Sequence, residues 1–314
     1  LENTYSKTYN YKLGFTKYYK NSYINFIIEN FNMDYGIPPS LEGHINGVDI
    51  ELIKNTFQIN YHHHISFFNF NQIDAKYNFI NYKHEEFENN LDYFSVGLSK
   101  NTHNVKIEFQ SSNLIIGSEL NYKQFLPSGF YWTPKTDELN FSLYGFYDKD
   151  INDFNLLSSF RIGYLLIQPE NNNTSFSNLN NEDVKDRDFS YLSSSLGLRK
   201  TINNFEIDTW IMNTMKAPMI EELYSDGPHL GTYSYEIGEP NLELEKIYGI
   251  ESSFRYNREP LNISLSLFYN YSPYYYQMNK IGECDEEFVI GESHPCAGAD
   301  FIEWGSGSSG WLYK

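Results

Sequence analysis

His229 stands among Glu221, Glu222, Asp226 and Glu236 in the segment Met215–Glu245, MKAPMIEELYSDGPHLGTYSYEIGEPNLELE. A neutral imidazole with carboxylates nearby is a donor set for zinc, copper or nickel, so the segment is a candidate capture site. The competing reading makes Gly227-Pro228-His229 a turn whose residues serve loop folding. A second set, Asp34, Glu42 and His44 with Asp49 just beyond, offers oxygen ligands and one imidazole; a solvated loop is its alternative. His62, His63 and His64 form the most conspicuous run. Neighbours on a strand point to opposite faces, so three in a row converge poorly on one ion, and the run is expected at a turn. His84 and His103 stand alone and are read as structural. Cys284 and Cys296 lie in one Gly- and Asp-rich segment and could close a small loop in an oxidising compartment. The acids beside them, Asp285, Glu286 and Glu287, lack the spacing of an EF-hand. There is no G-x-S-x-G elbow, H-E-x-x-H pair, phosphate-cradling loop or C-x-x-C, so neither an enzyme nor a bound cofactor is expected.

The elements around these residues alternate. Leu261, Ile263, Leu265, Leu267, Tyr269 and Tyr271 share one face of a strand, with Asn262, Ser264, Ser266, Asn270 and Ser272 on the other; Phe268 breaks the pattern. An apolar face of this length ending in tyrosines is expected to meet lipid, as in a membrane barrel with an aromatic girdle. Phe154–Leu166, Leu139–Tyr147 and Lys246–Tyr256 repeat it. In the last of these, a charge facing the hydrocarbon would cost about 2–4 kcal/mol, which assigns Glu251 and Arg255 to the lumen. The segment Met215–Glu245 is too long for a hairpin. With Pro218, Pro228 and Pro240 unable to donate to a ladder, it reads as a large surface loop ordered by something other than a sheet.

The 314 residues show no linker or compositional break, so one continuous sheet is the simpler organisation. No apolar stretch approaches the roughly 20 residues of a spanning helix. Lys plus Arg number 23 against 41 Asp plus Glu, a net charge of −18, which argues against nucleic acid and makes cations the more plausible cargo. About twelve strands are expected, near 1–14, 18–30, 47–61, 69–83, 91–101, 104–118, 136–147, 154–167, 188–200, 203–215, 244–256 and 260–277. Gaps after the even-numbered strands are mostly long and those after the odd-numbered mostly tight, the pattern of long extracellular loops and short periplasmic turns. Leu1–Gly14 already reads as strand, and the last residues lack a closing aromatic strand, so a fragment of a larger barrel is expected.

Ala217-Pro218, Glu221-Glu222-Leu223-Tyr224, Gly227-Pro228-His229-Leu230, Tyr235-Glu236-Ile237-Gly238, Pro240-Asn241-Leu242 and Glu245-Lys246 together resemble the signature extracellular loop of TonB-dependent outer-membrane receptors. The resemblance is to the branch holding zinc-regulated and other metal-uptake receptors. Tyr35-Gly36-Ile37-Pro38, Phe125-Leu126-Pro127 with Thr133-Pro134, and Leu196-Gly197-Leu198-Arg199 look like further segments of that branch. The resemblance implies an all-β, antiparallel transmembrane β-barrel, here about 12 of roughly 22 strands, with residues 1–314 a partial barrel domain and the plug absent from the chain. It implies a monomer in outer-membrane lipid, energised by the TonB complex. The implied cargo is a scarce metal such as zinc, free or chelated, with a siderophore or haem receptor or a passive porin-like channel as alternatives. Zinc-receptor relatives often carry a long His- and acid-rich early loop; this chain has only His44 there, a departure that weakens zinc. The tyrosines at 274–276 suit stacking on an iron–siderophore or haem ligand.

Overall fold

In a computed structural model, the described residues are 2–39, 47–88, 95–170, 182–229, 234–283, 300–308 and 311–312. Alternation of the kind seen at 154–166 sets the chain into long antiparallel strands: β1 (Ser6–Tyr18), β2 (Ser22–Ile37), β3 (Val48–Phe67), β4 (Phe70–Glu88), β5 (Val96–Gln110), β6 (Leu114–Gly129), β7 (Thr136–Ile151), β8 (Phe154–Pro169), β9 (Arg187–Ile202) and β10 (Phe205–Lys216). A short helix α1 (Ile220–Tyr224) and two four-residue strands, β11 (Asp226–His229) and β12 (Ser234–Ile237), follow. The sheet then resumes with β13 (Glu245–Arg258), β14 (Leu261–Glu283), β15 (Asp300–Ser308) and β16 (Trp311–Leu312). Each of β1 to β10 pairs with its neighbour in sequence, β10 pairs with β13 and β13 with β14, so twelve long strands form one antiparallel meander. β15 continues it and pairs in parallel with β12.

Connections alternate strictly in length. Residues 19–21, 68–69, 111–113, 152–153, 203–204 and 259–260 turn the chain at one end, while the longer stretches of sequence separate β2 from β3, β4 from β5, β6 from β7, β8 from β9 and β10 from β13. One face of the sheet is apolar and exposed: Leu139, Phe141 and Leu143 on β7, Phe160, Ile162 and Tyr164 on β8, Leu196 and Leu198 on β9, and the 261–271 row on β14. So large a continuous exposed apolar surface is of the kind that marks an interaction or membrane-facing surface. The other face carries the charges, and they are paired across strands: Lys12–Glu29 at 3.1 Å, Lys123–Glu138 at 2.5 Å, Arg161–Glu119 at 3.0 Å and Arg199–Asp208 at 2.5 Å. Arg255 reaches both Glu206 and Asp208, so its side chain is on the polar face as expected. Tyrosines on this face lie flat over glycines. A Cβ on Gly117 would come within 2.3 Å of Tyr144 and one on Gly163 within 2.3 Å of Tyr191, so both positions need a residue without one.

Three expectations are corrected. The chain does not turn near 102–103: β5 runs through to Gln110, and Ser111 closes the turn by accepting from Leu114 N and donating to Leu114 O. Asn101 and Asn104, which look like turn residues, are satisfied across strands, Asn101 by Asn81 at 2.8 Å and Asn104 by Glu119 at 2.8 Å. His62–His64 are not a turn either, because β3 continues to Phe67 and its turn is at 68–69. Finally, part of the Met215–Glu245 segment is in ladders, with Pro228 opposite Tyr235 in the β11–β12 pair.

Candidate functional site

The 217–244 segment is built around four side chains with no exposure at all, Ile220, Leu223, Tyr224 and Leu242. They pack on Phe125 of β6, Leu165 and Ile167 of β8, Phe189 of β9 and Tyr276 of β14. By register, Phe125 lies opposite Lys100, and Leu165 lies opposite Asn140 and Phe189, so these wall positions belong to the polar face. The segment therefore folds onto the inside of the wall at the long-connection end. A large surface loop was expected; an apolar core with the wall is found, because Ile220, Leu223 and Tyr224 recur at helical spacing and α1 turns all three inward.

Polar bonds fasten it. Arg187 donates to the carbonyls of Pro240 and Leu242, the second at 2.8 Å. Tyr224 donates its hydroxyl to Lys185 O at 2.8 Å, Asp226 N donates to Trp132 O at 2.6 Å, and the hydroxyls of Thr133 and Ser225 are 3.4 Å apart. Gly238 N donates to Ser225 O at 2.7 Å, and a Cβ on Gly238 would meet the Leu223 carbonyl carbon at 2.5 Å, so the return strand approaches α1 as only glycine allows. Burial pushes the Tyr224 hydroxyl above the ordinary tyrosine range, with Arg187 opposing.

The candidate ligands are distributed unevenly by this arrangement. Glu222 is buried; one oxygen accepts from Lys216 at 2.9 Å and the other caps α1 by accepting from Met219 N at 2.7 Å. Glu221 pairs with Lys100 at 3.4 Å. Asp226 and Glu236 are buried, 1% and 6% exposed. The backbone of His229 ends β11 opposite Ser234. Asp34 lies on β2 opposite Lys7 and Glu51. Glu42, His44, Cys284 and Cys296 lie outside the described residues. Among the described residues, no three of His, Cys, Asp and Glu are grouped to hold a metal ion.

Sequence reasoning passed over two features. His84 donates or accepts at 3.0 Å with the buried Glu86, two residues on along the same face of β4. His62 and His64 stand side by side on the polar face of β3, beside Asp74 of β4. The His-x-His and His-x-Glu spacings are the signal: on a strand, residues two apart share a face.

Residues 1–272 match the family described as TonB dependent receptor-like, beta-barrel. The chain belongs to the TonB-dependent receptor family. Family members are outer-membrane proteins. Among solved structures the chain is similar to the copper transporter OprC, at 11% identity and a TM-score of 0.73, covering 98% of this chain and 49% of that one. It is similar to the Serratia marcescens hemophore receptor HasR, solved with its hemophore HasA and heme, at 11% identity and TM-score 0.63, covering 95% and 49%. The siderophore receptor PirA from Pseudomonas aeruginosa gives 14% identity and TM-score 0.63, covering 97% and 51%. The chain thus spans about half the length of these receptors. No curated protein matches its sequence. The family assignment bears out the all-β receptor barrel; it does not extend to the zinc-regulated branch.

Proposed function

We propose that this chain forms the barrel wall of an active outer-membrane receptor that imports a scarce transition metal, as ion or chelate, with energy supplied through TonB. The observation that carries the reading is the 217–244 segment, folded onto the polar face and bolted to β6, β8, β9 and β14. A porin-like channel works through an open lumen, whereas an active receptor needs its entrance narrowed until cargo and energy arrive. The receptor resides in outer-membrane lipid as a monomer, with the apolar face outward.

Cargo arriving inside an organic chelate fits the segment better than bare zinc captured by it. Glu221 and Glu222 already hold lysines, and the described donors do not converge on one ion. Haem and a siderophore, named for similar structures, are cargo of this kind, while copper is named for another. The test is accumulation in cells producing the complete receptor, offered ferric siderophores, haem, or zinc and copper salts, with and without TonB. Uptake of one cargo that stops when TonB is removed is expected; uptake indifferent to TonB would overturn the proposal in favour of a passive channel.

A further inference from the structure

The structure assigns a metal site, on the polar face of the wall at the short-turn end, in which His62 and His64 share one divalent transition-metal ion and Asp74 orients His62. Both imidazoles come from β3, two residues apart, and so project from the same face of the strand. Their Nε2 atoms are 3.5 Å apart. As a hydrogen bond that separation is poor, since N–H donors sit nearer about 3.0 Å. It is close to the bite of a shared ion, because two imidazole nitrogens each about 2.05 Å from a tetrahedral zinc stand about 3.3 Å apart.

The surroundings complete the argument. Nδ1 of His62 is 2.7 Å from Oδ1 of Asp74, so the carboxylate accepts the ring N–H there, keeping the proton on Nδ1 and leaving Nε2 with its lone pair toward His64. Asp74 is itself held: its Oδ2 accepts from the amides of Gln72 and, at 3.2 Å, Gln110. Tyr23 of β2 stacks on the His62 ring, centroids 4.9 Å apart and planes 17° from parallel. A carboxylate fixing one ring nitrogen while the other is free is the outer-shell pattern of metal-binding histidines. Four strands cooperate to hold His62 in one tautomer and one orientation, whereas His64 remains exposed. His63, between them, points to the opposite face and stacks with Tyr61.

Two protein ligands leave the ion's other positions to water or to donors carried by the cargo, which makes the site a weak one. A weak site is what a passage requires, since an ion must leave as well as enter. Its place as a last station before the periplasm rests on the import reading above, but the binding itself does not. The chemistry favours zinc, copper or nickel over calcium or magnesium, because imidazole is the donor.

The experiment is binding, measured apart from transport. The complete receptor in detergent is titrated with copper(II) and followed by electron paramagnetic resonance, beside His62→Ala, His64→Ala, Asp74→Ala and His63→Ala. Two coupled nitrogens are expected, falling to one in His64→Ala. Asp74→Ala should weaken binding by about 10–100-fold, as losses of outer-shell partners do, while His63→Ala leaves it unchanged. In the unsubstituted receptor, zinc should shield His62 and His64 together from diethyl pyrocarbonate, a readout independent of any variant's folding. Absence of shielding, or a copper signal that survives both His62→Ala and His64→Ala, overturns the assignment. Intact binding with no TonB-dependent uptake would instead count against the import reading and leave this site standing.

Discussion

The two ends of the polar face treat their titratable side chains in opposite ways. At the long-connection end the 217–244 segment uses acids for architecture: Glu222 caps α1 and holds Lys216, and Glu221 holds Lys100. At the short-turn end the strands leave His64 exposed beside an oriented His62. A cluster of ligand-type residues in sequence is therefore a poor guide to a site when the segment folds around an apolar core. Two residues at period two on a strand, by contrast, share a face whatever packs around them.

The contrast breaks most sharply if the core of the segment is emptied. Tyr224 is wholly buried, so Tyr224→Ala should cost about 3–5 kcal/mol of docking energy and expose 217–244 to protease while the strands stay intact. Limited proteolysis followed by mass spectrometry reads both. Gly238→Ala comes next. Its methyl meets backbone of Leu223, which cannot yield, and about 1–3 kcal/mol should be lost, again seen as protease sensitivity of this segment alone.

The carboxylates sharpen the comparison more gently. Glu222→Ala removes a buried cap and leaves Lys216 without that partner, for about 1–2 kcal/mol, whereas Glu221→Ala loses a half-exposed pair worth about 0–1 kcal/mol. If the segment's acids are architectural, neither change should alter cargo affinity beyond the loss of docking, which calorimetric titration of the complete receptor would check. The smallest effect is alkaline. Because the folded-state pKa of Tyr224 is raised, its contribution is fully present below about pH 10, the unfolded tyrosine value, and is lost as pH rises through the folded value. Tyr224→Phe should abolish that alkaline loosening and cost about 1 kcal/mol at neutral pH through the bond to Lys185 O.

Most of the sheet was legible because an apolar face on one side and charge on the other enforce a strict period of two. Glu251 and Arg255 gave the orientation of β13 for the same reason. Polar residues whose partners lie on neighbouring strands were not legible. Asn101, His103 and Asn104 resemble a turn until Asn81, Tyr77 and Glu119 are seen to bond them. The inward fold of 217–244 was hidden too, because its docking depends on Phe125, Leu165 and Phe189, brought together from three strands far apart in sequence. Residues of ligand type were singled out in that segment, whereas the pair His62 and His64 was passed over because adjacency masked their shared face.

Amide hydrogen exchange across 219–244 in the complete receptor tests the central claim most directly, that this segment is a packed part of the wall's inner face. Protection of Leu223, Ser225, Asp226 and Gly238 comparable to that of the strands is the predicted result, since their amides donate inside the fold. Exchange of these amides at the rate of an open surface loop would contradict it.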